Sequence, residues 1–508
     1  MRKWKSPGWV CTLGGALLSV LFWTGLSMET AGSCRAWSFV LAALSALPLA
    51  LILQGLFSLE DRDRPEADRG RPLLRRFALI FSVQAAAFVI HFPGSFAYDV
   101  PFQLRQALTG SYSWHHPIVH TLFLGLFIRL GQLLGRVNLG AALCTLCQMG
   151  IMSFLYAKVS LALSRKGKRL GQLALLFYAL YPLNPLMAVN ATKDTLFGGL
   201  FALSMLFLLE ERPDKRRALP VLLALCMLLR NNAVYAVFAL ALLCLLVPGA
   251  RRCLLPLGMG LICYFVLFFS LNALTGAAGT ERVEALAVPI QQVARIRVRH
   301  GEELSPEERE LIDRVMPDAA YERYDETVCD PVKFAMDEAA LEENWAECCH
   351  LWLGLVCRFP GEAVDAFLAL GHPFLFPYPV YRESGYYLQT GVTQDYYDPW
   401  WQGERLRDLS PVPRVRQAIS WRLGAQGGMQ SPVGWLFNLG VLSYLTLILC
   451  LRILYRRGRA GICALLPMLL LGTYLLGPCM AGRYLYPFIA CLPVLWGGGK
   501  EKGIQNET

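Results

Sequence analysis

The stretch His91-Phe-Pro-Gly-Ser-Phe-Ala-Tyr-Asp-Val-Pro101 follows an apolar run, and the chain continues to Trp114-His-His-Pro117 before the next apolar run begins. It places a carboxylate, two adjacent histidines and three prolines between strongly apolar flanks. Such flanks are not typical of an ordinary surface loop. The question is whether Asp99 does chemistry at a membrane face or caps a helix that starts at Val100-Pro101, for which Asp followed by Pro is well suited.

The composition predicts an all-α polytopic membrane protein. Of the 508 residues, 55% are hydrophobic and 17% are charged, and the mean hydropathy is +0.40. A soluble protein of this length could not bury so much apolar side chain. The net charge of +10 does not indicate a nucleic-acid partner, because the basic residues cluster at the ends of apolar runs, where they set orientation and contact anionic lipid head groups.

The apolar runs predict about twelve transmembrane helices, with about 20 residues needed for each crossing. Placing the basic loops inside puts both termini in the cytoplasm and the Asp99 stretch on the outer face of the cytoplasmic membrane. The predicted spans are residues 9–27, 37–57, 77–91, 139–163, 170–189, 195–209, 218–229, 233–247, 254–274, 435–451, 462–476 and 484–496.

One further apolar run, residues 118–134, is better interpreted as a re-entrant or juxtamembrane helix than as a span. Counting it as a span would move Arg165, Lys166, Lys168 and Arg169 to the outside and invert every later basic loop. Arg129 and several glycines fit a helix that lies at the outer leaflet.

These assignments divide the chain into three parts. Residues 1–274 form an N-terminal membrane domain whose outer loop is residues 92–138, residues 275–434 form an extracytoplasmic region, and residues 435–508 form the C-terminal transmembrane helices. The external region is expected to be mainly helical. Ser305-Pro-Glu-Glu308 has the pattern of a helix start, residues 338–359 are amphipathic, and residues 373–401 are rich in aromatic side chains.

Several polar residues fall at the predicted outer ends of spans: Asp99, His115, His116, Lys193, Asp194, Arg230 and Arg483. A charged group at membrane depth costs about 2.5–3.5 kcal/mol on insertion scales, so several on one face indicate a shared polar cavity. Asp99 is the candidate general base, because a low-dielectric boundary can raise a carboxylate pKa towards neutrality. Capping a helix remains an alternative that is compatible with this role.

The other residues have both structural and functional interpretations. Lys193 and Asp194 are an ion pair or cap at a span start, or Asp194 is a second carboxylate that faces Asp99 and holds a metal or an acceptor. The adjacent histidines are interface residues or ligands. Arg483 either reaches towards lipid head groups or binds a phosphate bidentately, and Arg230 has the same two interpretations.

The sequence leaves metal and thiol chemistry open. Most of the sixteen cysteines lie in apolar runs, where cysteine behaves as a small hydrophobic residue. Four fall in the external region and could pair or bind metal, although their spacing matches no zinc pattern; they are Cys329, Cys348, Cys349 and Cys357. A divalent metal is therefore an open alternative. No nucleotide-binding P-loop, GxSxG or HExxH motif is present.

The order of these motifs resembles the GT-C superfamily of integral membrane glycosyltransferases. An outer loop with Asp99 is followed by His116-Pro-Ile-Val119 at the start of a juxtamembrane helix, then by Lys193-Asp194, and finally by Arg483-Tyr-Leu-Tyr-Pro487. Together with Pro289-Ile-Gln-Gln-Val-Ala-Arg295 and Asp330-Pro-Val-Lys333, the chain looks like a family of uncharacterised membrane proteins, mainly from Firmicutes, that is grouped with this fold. The second proline of the superfamily's His-Pro-Pro-Leu motif is Ile118 here, and Asp99 stands beside Tyr98 rather than another acid.

The resemblance implies transfer of a sugar from a polyprenyl-phosphate donor to a lipid, glycan or protein acceptor, with inversion at the anomeric carbon. Asp99 would be the base, and His116 and Asp194 would shape the catalytic site. Arg483, Arg230 and Lys193 would bind the donor phosphate, whereas Tyr98 and His115 would face the acceptor. The alternatives are a lipid-linked glycan ligase, polymerase or flippase, a transporter of cell-envelope biogenesis, and a protein whose external region acts as a sensor.

Overall fold

A computed structural model describes residues 8–59, 71–210, 216–280, 282–377, 390–392, 401, 403–423 and 437–499. Within these ranges the chain is helical, with isolated bridges and no strand. The helices are α1 (Gly8–Ala31), α2 (Ala36–Ser58), α3 (Pro72–Ile90), α4 (Val100–Thr109), α5 (Ile118–Leu133), α6 (Val137–Ser164), α7 (Lys168–Leu180), α8 (Leu183–Ala188), α9 (Lys193–Leu208), α10 (Leu219–Leu229), α11 (Ala233–Leu246), α12 (Leu254–Thr275), α13 (Ala287–His300), α14 (Pro306–Val315), α15 (Asp318–Tyr321), α16 (Asp330–Lys333), α17 (Glu338–Glu343), α18 (Trp345–Arg358), α19 (Pro360–Leu375), α20 (Pro413–Leu423), α21 (Leu439–Arg457), α22 (Leu466–Tyr474) and α23 (Tyr486–Gly498).

Six helical segments are long and apolar enough to cross a membrane: Gly8–Ala31, Ala36–Ser58, Pro72–Ile90, Val137–Ser164, Pro248–Thr275 and Leu439–Tyr474. Their outer faces are unusually apolar. On α2, for example, Leu44, Leu47 and Leu51 are each more than half exposed and lie three or four residues apart, on one face of the helix. Because contiguous apolar surface of this extent suits lipid rather than water, the chain is an all-α membrane protein.

The number of long spans is smaller than the sequence predicted. Among the described residues, six segments reach the necessary length, whereas the sequence indicated about twelve. The other predicted spans include α7, α9, α10, α11 and α23, which have between 11 and 16 residues. A helix of that length rises only about 17–24 Å, less than the roughly 30 Å of a hydrocarbon core.

Three of these short helices, α9, α10 and α23, are nevertheless mostly buried within the bundle. The ring of Tyr156 on α6 stacks on Tyr178 of α7 with 4.1 Å between centroids, and its hydroxyl lies 2.5 Å from the hydroxyl of Tyr486 on α23. Tyr178 in turn donates to the carbonyl of Ala490, at 2.8 Å. Because buried hydroxyls need partners, this tyrosine group fixes α6, α7 and α23 against one another.

One end of the bundle, which we call the far end, is held by arginines that bind backbone carbonyls of neighbouring elements. Arg457 donates to the carbonyl of Leu209 at 2.8 Å, and Arg456 donates to that of Gly499 at 3.1 Å. The Asp99 stretch and the external region lie at the opposite end, which we call the Asp99 end.

Helix α5 has both of its termini at the Asp99 end. Its first turn follows His116 directly, and just after its last turn the N–H of Val137 donates to Glu404 at 2.6 Å. The segment that carries Glu404 returns to the Asp99 stretch, where the N–H of Leu409 donates to the carbonyl of Phe92. The contacts of α5 are therefore those of a helix that does not run the length of the bundle.

The external region packs on the Asp99 end as a helical layer. Ser305 caps α14 in a capping box with Glu308, which confirms the predicted helix start. The predicted amphipathic helix over residues 338–359 is broken at Asn344 into α17 and α18. Arg295 is fully buried, donates to Glu362 at 2.7 Å and reaches the carbonyl of Gly32 between α1 and α2. Of the aromatic-rich stretch, residues 378–389 and 393–400 lie outside the described residues.

Candidate active site

The Asp99 stretch is held in place by the loop that precedes α9. Ser95 accepts from the N–H of Ala191 and donates its own N–H to the carbonyl of Val189, both at 2.9 Å. Gly94 has a φ of +129°, and a Cβ there would collide with the side chain of Thr145 on α6. Only glycine adopts this conformation readily, so the local sequence fixes the loop against α6 and brings Asp99 to the start of α9.

Tyr98 has an unusual backbone that aims its ring at the site. Its φ of +57° is the only positive value among the described residues other than glycine. The left-handed region is uncommon for such a residue and costs of the order of 1–3 kcal/mol. In this conformation the ring lies beneath the guanidinium of Arg483, with 4.3 Å between the guanidinium carbon and the ring centroid.

Asp99 binds two cations. Its Oδ2 lies 2.9 Å from Nζ of Lys193, and its Oδ1 accepts from Nη2 of Arg483 at 3.1 Å. Asp99 immediately precedes α4, which begins at Val100, as the capping interpretation predicts. Its carboxylate, however, makes no capping hydrogen bond. About a quarter of the side chain remains exposed.

These cations reverse the expected pKa shift of Asp99. Burial raises the pKa of its carboxyl group, but Arg483 and Lys193 outweigh burial and hold the pKa well below its usual range. The prediction of a pKa raised towards neutrality is therefore wrong. It considered the membrane boundary and omitted the two cations that the fold brings to the carboxylate.

Asp194 is fully buried and forms the second part of the cluster. Its Oδ1 lies 2.8 Å from Nε of Arg230, and its Oδ2 lies 3.8 Å from Nε of Arg483. Lys193, Arg230 and Arg483 thus face two carboxylates, so one positive charge is left over. We call these five residues the charged cluster.

Two tyrosines complete the lining of the cluster and were missed in the sequence. The guanidinium of Arg230 lies over the rings of Tyr474 and Tyr484, at 4.9 and 4.3 Å from their centroids, and Arg483 is 5.1 Å from the ring of Tyr484. Such cation–π contacts stabilise desolvated guanidinium groups. Tyr484 adjoins Arg483 in the sequence, but nothing in the sequence places Tyr474 beside Arg230.

The two adjacent histidines have different surroundings. His116 is buried, stacks on Phe102 with 6.0 Å between centroids, and has no hydrogen-bond partner for Nδ1 among the described residues. Burial and then the charge of Lys193 lower its pKa to about 3, so its imidazole is neutral. His115 turns away towards the external region, where its Nδ1 lies 3.9 Å from Glu284.

A further histidine, which the sequence analysis did not single out, lies one helical turn beyond His116. His120 is fully buried, and its Nδ1 lies 3.0 Å from the side-chain oxygen of Gln103 on α4. Gln103 also donates to Thr121 at 3.2 Å. The i, i+4 spacing of His116 and His120 was the signal that could have found this residue.

The described part of the chain brings no three His, Cys, Asp or Glu side chains into an arrangement that could hold a metal ion. The two site carboxylates bind Lys193 and the two arginines. All sixteen cysteines are free thiols; of the four in the external region, Cys329 is buried, Cys348 is half-buried, and Cys349 and Cys357 are exposed.

The three helices that run from the far end to the cluster are short. Helices α9, α10 and α23 have 16, 11 and 13 residues and rise about 24, 17 and 20 Å. The distance from the charged cluster to the far end is therefore shorter than the thickness of a bilayer.

The fold and the site define an all-α integral membrane protein with a charged cluster at one end of its helix bundle. The chain belongs to the family of unknown function DUF6020, whose model matches residues 107–497. The matched range contains the three cations and Asp194 and begins after Asp99. No curated protein and no solved structure matches the chain.

Proposed function

We propose that the protein is a membrane glycosyltransferase of the GT-C type, which moves a sugar from a polyprenyl-phosphate donor to an acceptor hydroxyl. One observation carries the proposal: Asp99, a partly exposed carboxylate, shares Arg483 with the buried Asp194 in a cluster that has one positive charge in excess. A base beside cations is what this transfer needs, because the acceptor must lose a proton while the leaving phosphate gains negative charge.

The donor phosphate would bind Arg483 and Lys193, with Arg230 behind them. Guanidinium groups bind phosphate bidentately, and Arg483 is already oriented by the ring of Tyr98. A phosphate at this position would compete with Asp99 for the same two cations. Asp99 would then lose the partners that lower its pKa and become a stronger base when donor is bound.

In the proposed step, Asp99 takes the proton of the acceptor hydroxyl, and the oxygen attacks the anomeric carbon from the face opposite the phosphate. A bond forms between this carbon and the acceptor oxygen, while the bond to the phosphate oxygen breaks. The electron pair leaves with polyprenyl phosphate. Asp194 holds Arg230 and Arg483 in position, and the neutral His116 borders the acceptor side.

The membrane position proposed for the cluster follows from the lengths of its helices. If the far end is cytoplasmic, then α9, α10 and α23 bring the cluster to the outer leaflet, below the outer head groups. The short helices, with the loops that extend them, would complete about twelve crossings, with both termini inside and α5 at the outer leaflet. A donor with a polyprenyl chain could then reach the cluster from the lipid.

The test is an assay of sugar transfer by the purified protein in liposomes. The liposomes are supplied with a panel of polyprenyl-phosphate sugars, and the release of polyprenyl phosphate is measured. We expect Asp99→Asn to lower turnover by at least about 100-fold, the usual contribution of a general base, while it still binds donor. Asp313→Asn, which removes a half-exposed partner of Arg297 in the external region, is the control and should keep full activity. Equal turnover by wild type and Asp99→Asn would remove Asp99 from the mechanism.

A further inference from the structure

The external region encloses an apolar cavity of about 160 Å³ between α13, α14, α17 and α18. Every residue that lines it is apolar or a cysteine, including Ile290, Val315, Leu341 and Trp352. The indole N–H of Trp352 donates to Gln292 at 2.8 Å and so needs no partner in the cavity. The interior therefore offers a ligand dispersion contacts and no strong hydrogen-bonding group.

This lining excludes a sugar as the occupant. Each hydroxyl of a sugar would lose its hydrogen bonds to water there without gaining a new partner, which is unfavourable. A cavity of about 150 Å³ with aliphatic walls stays dry and holds a molecule of the size of benzene. The size and chemistry together fit one slender apolar group, such as the end of a hydrocarbon chain, and are too small for a helix of another protein.

The mouth of the cavity lies at α18. Trp345 and Cys349 line the cavity and are both exposed, so a chain can enter from the surface beside them. Removal of the apolar surface of the chain from water stabilises the bound state.

A short segment connects this cavity with the charged cluster. Leu286 and Pro289, at the start of α13, line the cavity. Two residues before Leu286, Glu284 binds Lys333 at 2.9 Å and approaches His115 at 3.9 Å. His115 adjoins His116 in the sequence, and their ring centroids lie 4.6 Å apart. Trp345 at the mouth lies 5.9 Å, from ring centroid to guanidinium carbon, from Arg282, so the segment that starts at Arg282 runs from the cavity to the contact with His115.

We infer that this cavity binds the hydrocarbon chain of a lipid. The identity of the lipid rests on the proposed function: the lipid would be the acceptor. Its chain would then lie between α13 and α18, and its hydroxyl would point past Glu284 towards Asp99. Of the acceptors that the sequence leaves open, a lipid is then favoured over a soluble glycan or a protein.

The chain itself provides the reporter for a binding experiment that needs no turnover. Cys349 lines the cavity, whereas Cys357, on the same helix and equally exposed, does not. The full-length protein in lipid nanodiscs would be treated with N-ethylmaleimide, with 1-decanol or glucose added. Mass spectrometry would follow the labelling rates of the two cysteines separately.

We expect 1-decanol to slow labelling of Cys349 at least fivefold and to leave Cys357 unchanged, with no effect of glucose. Leu311→Phe, a half-buried lining position, should fill the cavity and abolish this protection. Equal slowing at both cysteines, protection by glucose, or protection of Cys349 by a phenylalanine-containing peptide but not by decanol would each overturn the inference. Because no donor is present, these outcomes are independent of the Asp99→Asn assay.

Discussion

Arg483 lies 3.1 Å from the carboxylate of Asp99, although 384 residues separate them in the sequence. The same guanidinium approaches Asp194 at 3.8 Å and stacks on Tyr98. Arg483 therefore connects the Asp99 stretch, the start of α9 and the start of α23, and the properties of the site follow from this connection.

The pH dependence of stability provides one test of the Asp99 contacts. Because Arg483 and Lys193 hold its pKa well below the usual range against the effect of burial, ionised Asp99 contributes stability above the unfolded pKa of about 3.9 and loses it as pH falls through the lower folded value. The melting temperature of Asp99→Asn should therefore lie below that of wild type by a constant amount from about pH 5 to 8. The difference should shrink only below about pH 4; a difference that does not change with pH would show an unshifted pKa, and a change near neutral pH would show a raised one.

The buried pair of Asp194 and Arg230 gives a second prediction. Replacing Arg230 with Ala leaves a fully buried carboxylate with Arg483 at 3.8 Å as its remaining cation. Breaking a buried pair in this way costs about 3–5 kcal/mol. Thermal unfolding should show a large loss for Arg230→Ala and partial recovery when Asp194→Asn is added. Arg297→Ala removes a partly exposed pair with Asp313 and should cost less than about 1 kcal/mol; similar losses at the two arginines would contradict the buried pairing.

Substitutions at two glycines, one in the Asp99 stretch and one just after α4, distinguish the cost of backbone strain from the cost of a steric collision. Gly94 and Gly110 both have positive φ, at +129° and +77°, but an added Cβ meets Thr145 at Gly94 and open space at Gly110. Gly110→Ala should cost about 1–2 kcal/mol from strain alone. Gly94→Ala should cost more and also lower transfer, because it displaces the loop that carries Asp99. Equal stability and activity of the two variants would mean that contact with Thr145 does not position the loop.

Whether α5 crosses the membrane can be tested by labelling from outside the cell. An epitope tag inserted after Gly135, which has open space around it, should be reached by antibody from outside intact cells. A tag at Gly279, beyond α12, should be equally accessible. Protection of the Gly135 tag alone would mean that α5 crosses the membrane.

The sequence predicted the elements of the site better than their contacts. The cost of charged residues at membrane depth singled out a group of residues beside apolar runs. The structure brings five of them together, namely Asp99, Lys193, Asp194, Arg230 and Arg483. The pKa of Asp99 could not be predicted, since its cations come from α9 and from residue 483. Tyr474 and His120 were missed because an aromatic or histidine inside an apolar helix has the same pattern whether it faces a core or a site.

The lengths of the predicted spans could not be inferred from the sequence for a related reason. Apolar composition shows that a segment avoids water but does not show the length of its helix. Helix α10, which packs mainly inside the bundle, has 11 residues, and α11, which exposes Phe238 and Leu246, has 14. A hydropathy pattern does not show where a helix ends if the residues that follow it lie in the interior or in a short loop. Arg230 and Val247, which follow α10 and α11, are such residues.

The most direct test of a polyprenyl-phosphate site is binding of polyprenyl phosphate to the protein in nanodiscs, measured for wild type and Arg483→Lys. Lysine keeps the charge but loses the planar fork that binds phosphate bidentately. We expect at least about tenfold weaker binding, equivalent to roughly 1.4 kcal/mol, and no change for Arg297→Lys or for binding of the dephosphorylated polyprenol. Equal affinity of wild type and Arg483→Lys for polyprenyl phosphate would contradict the proposed site.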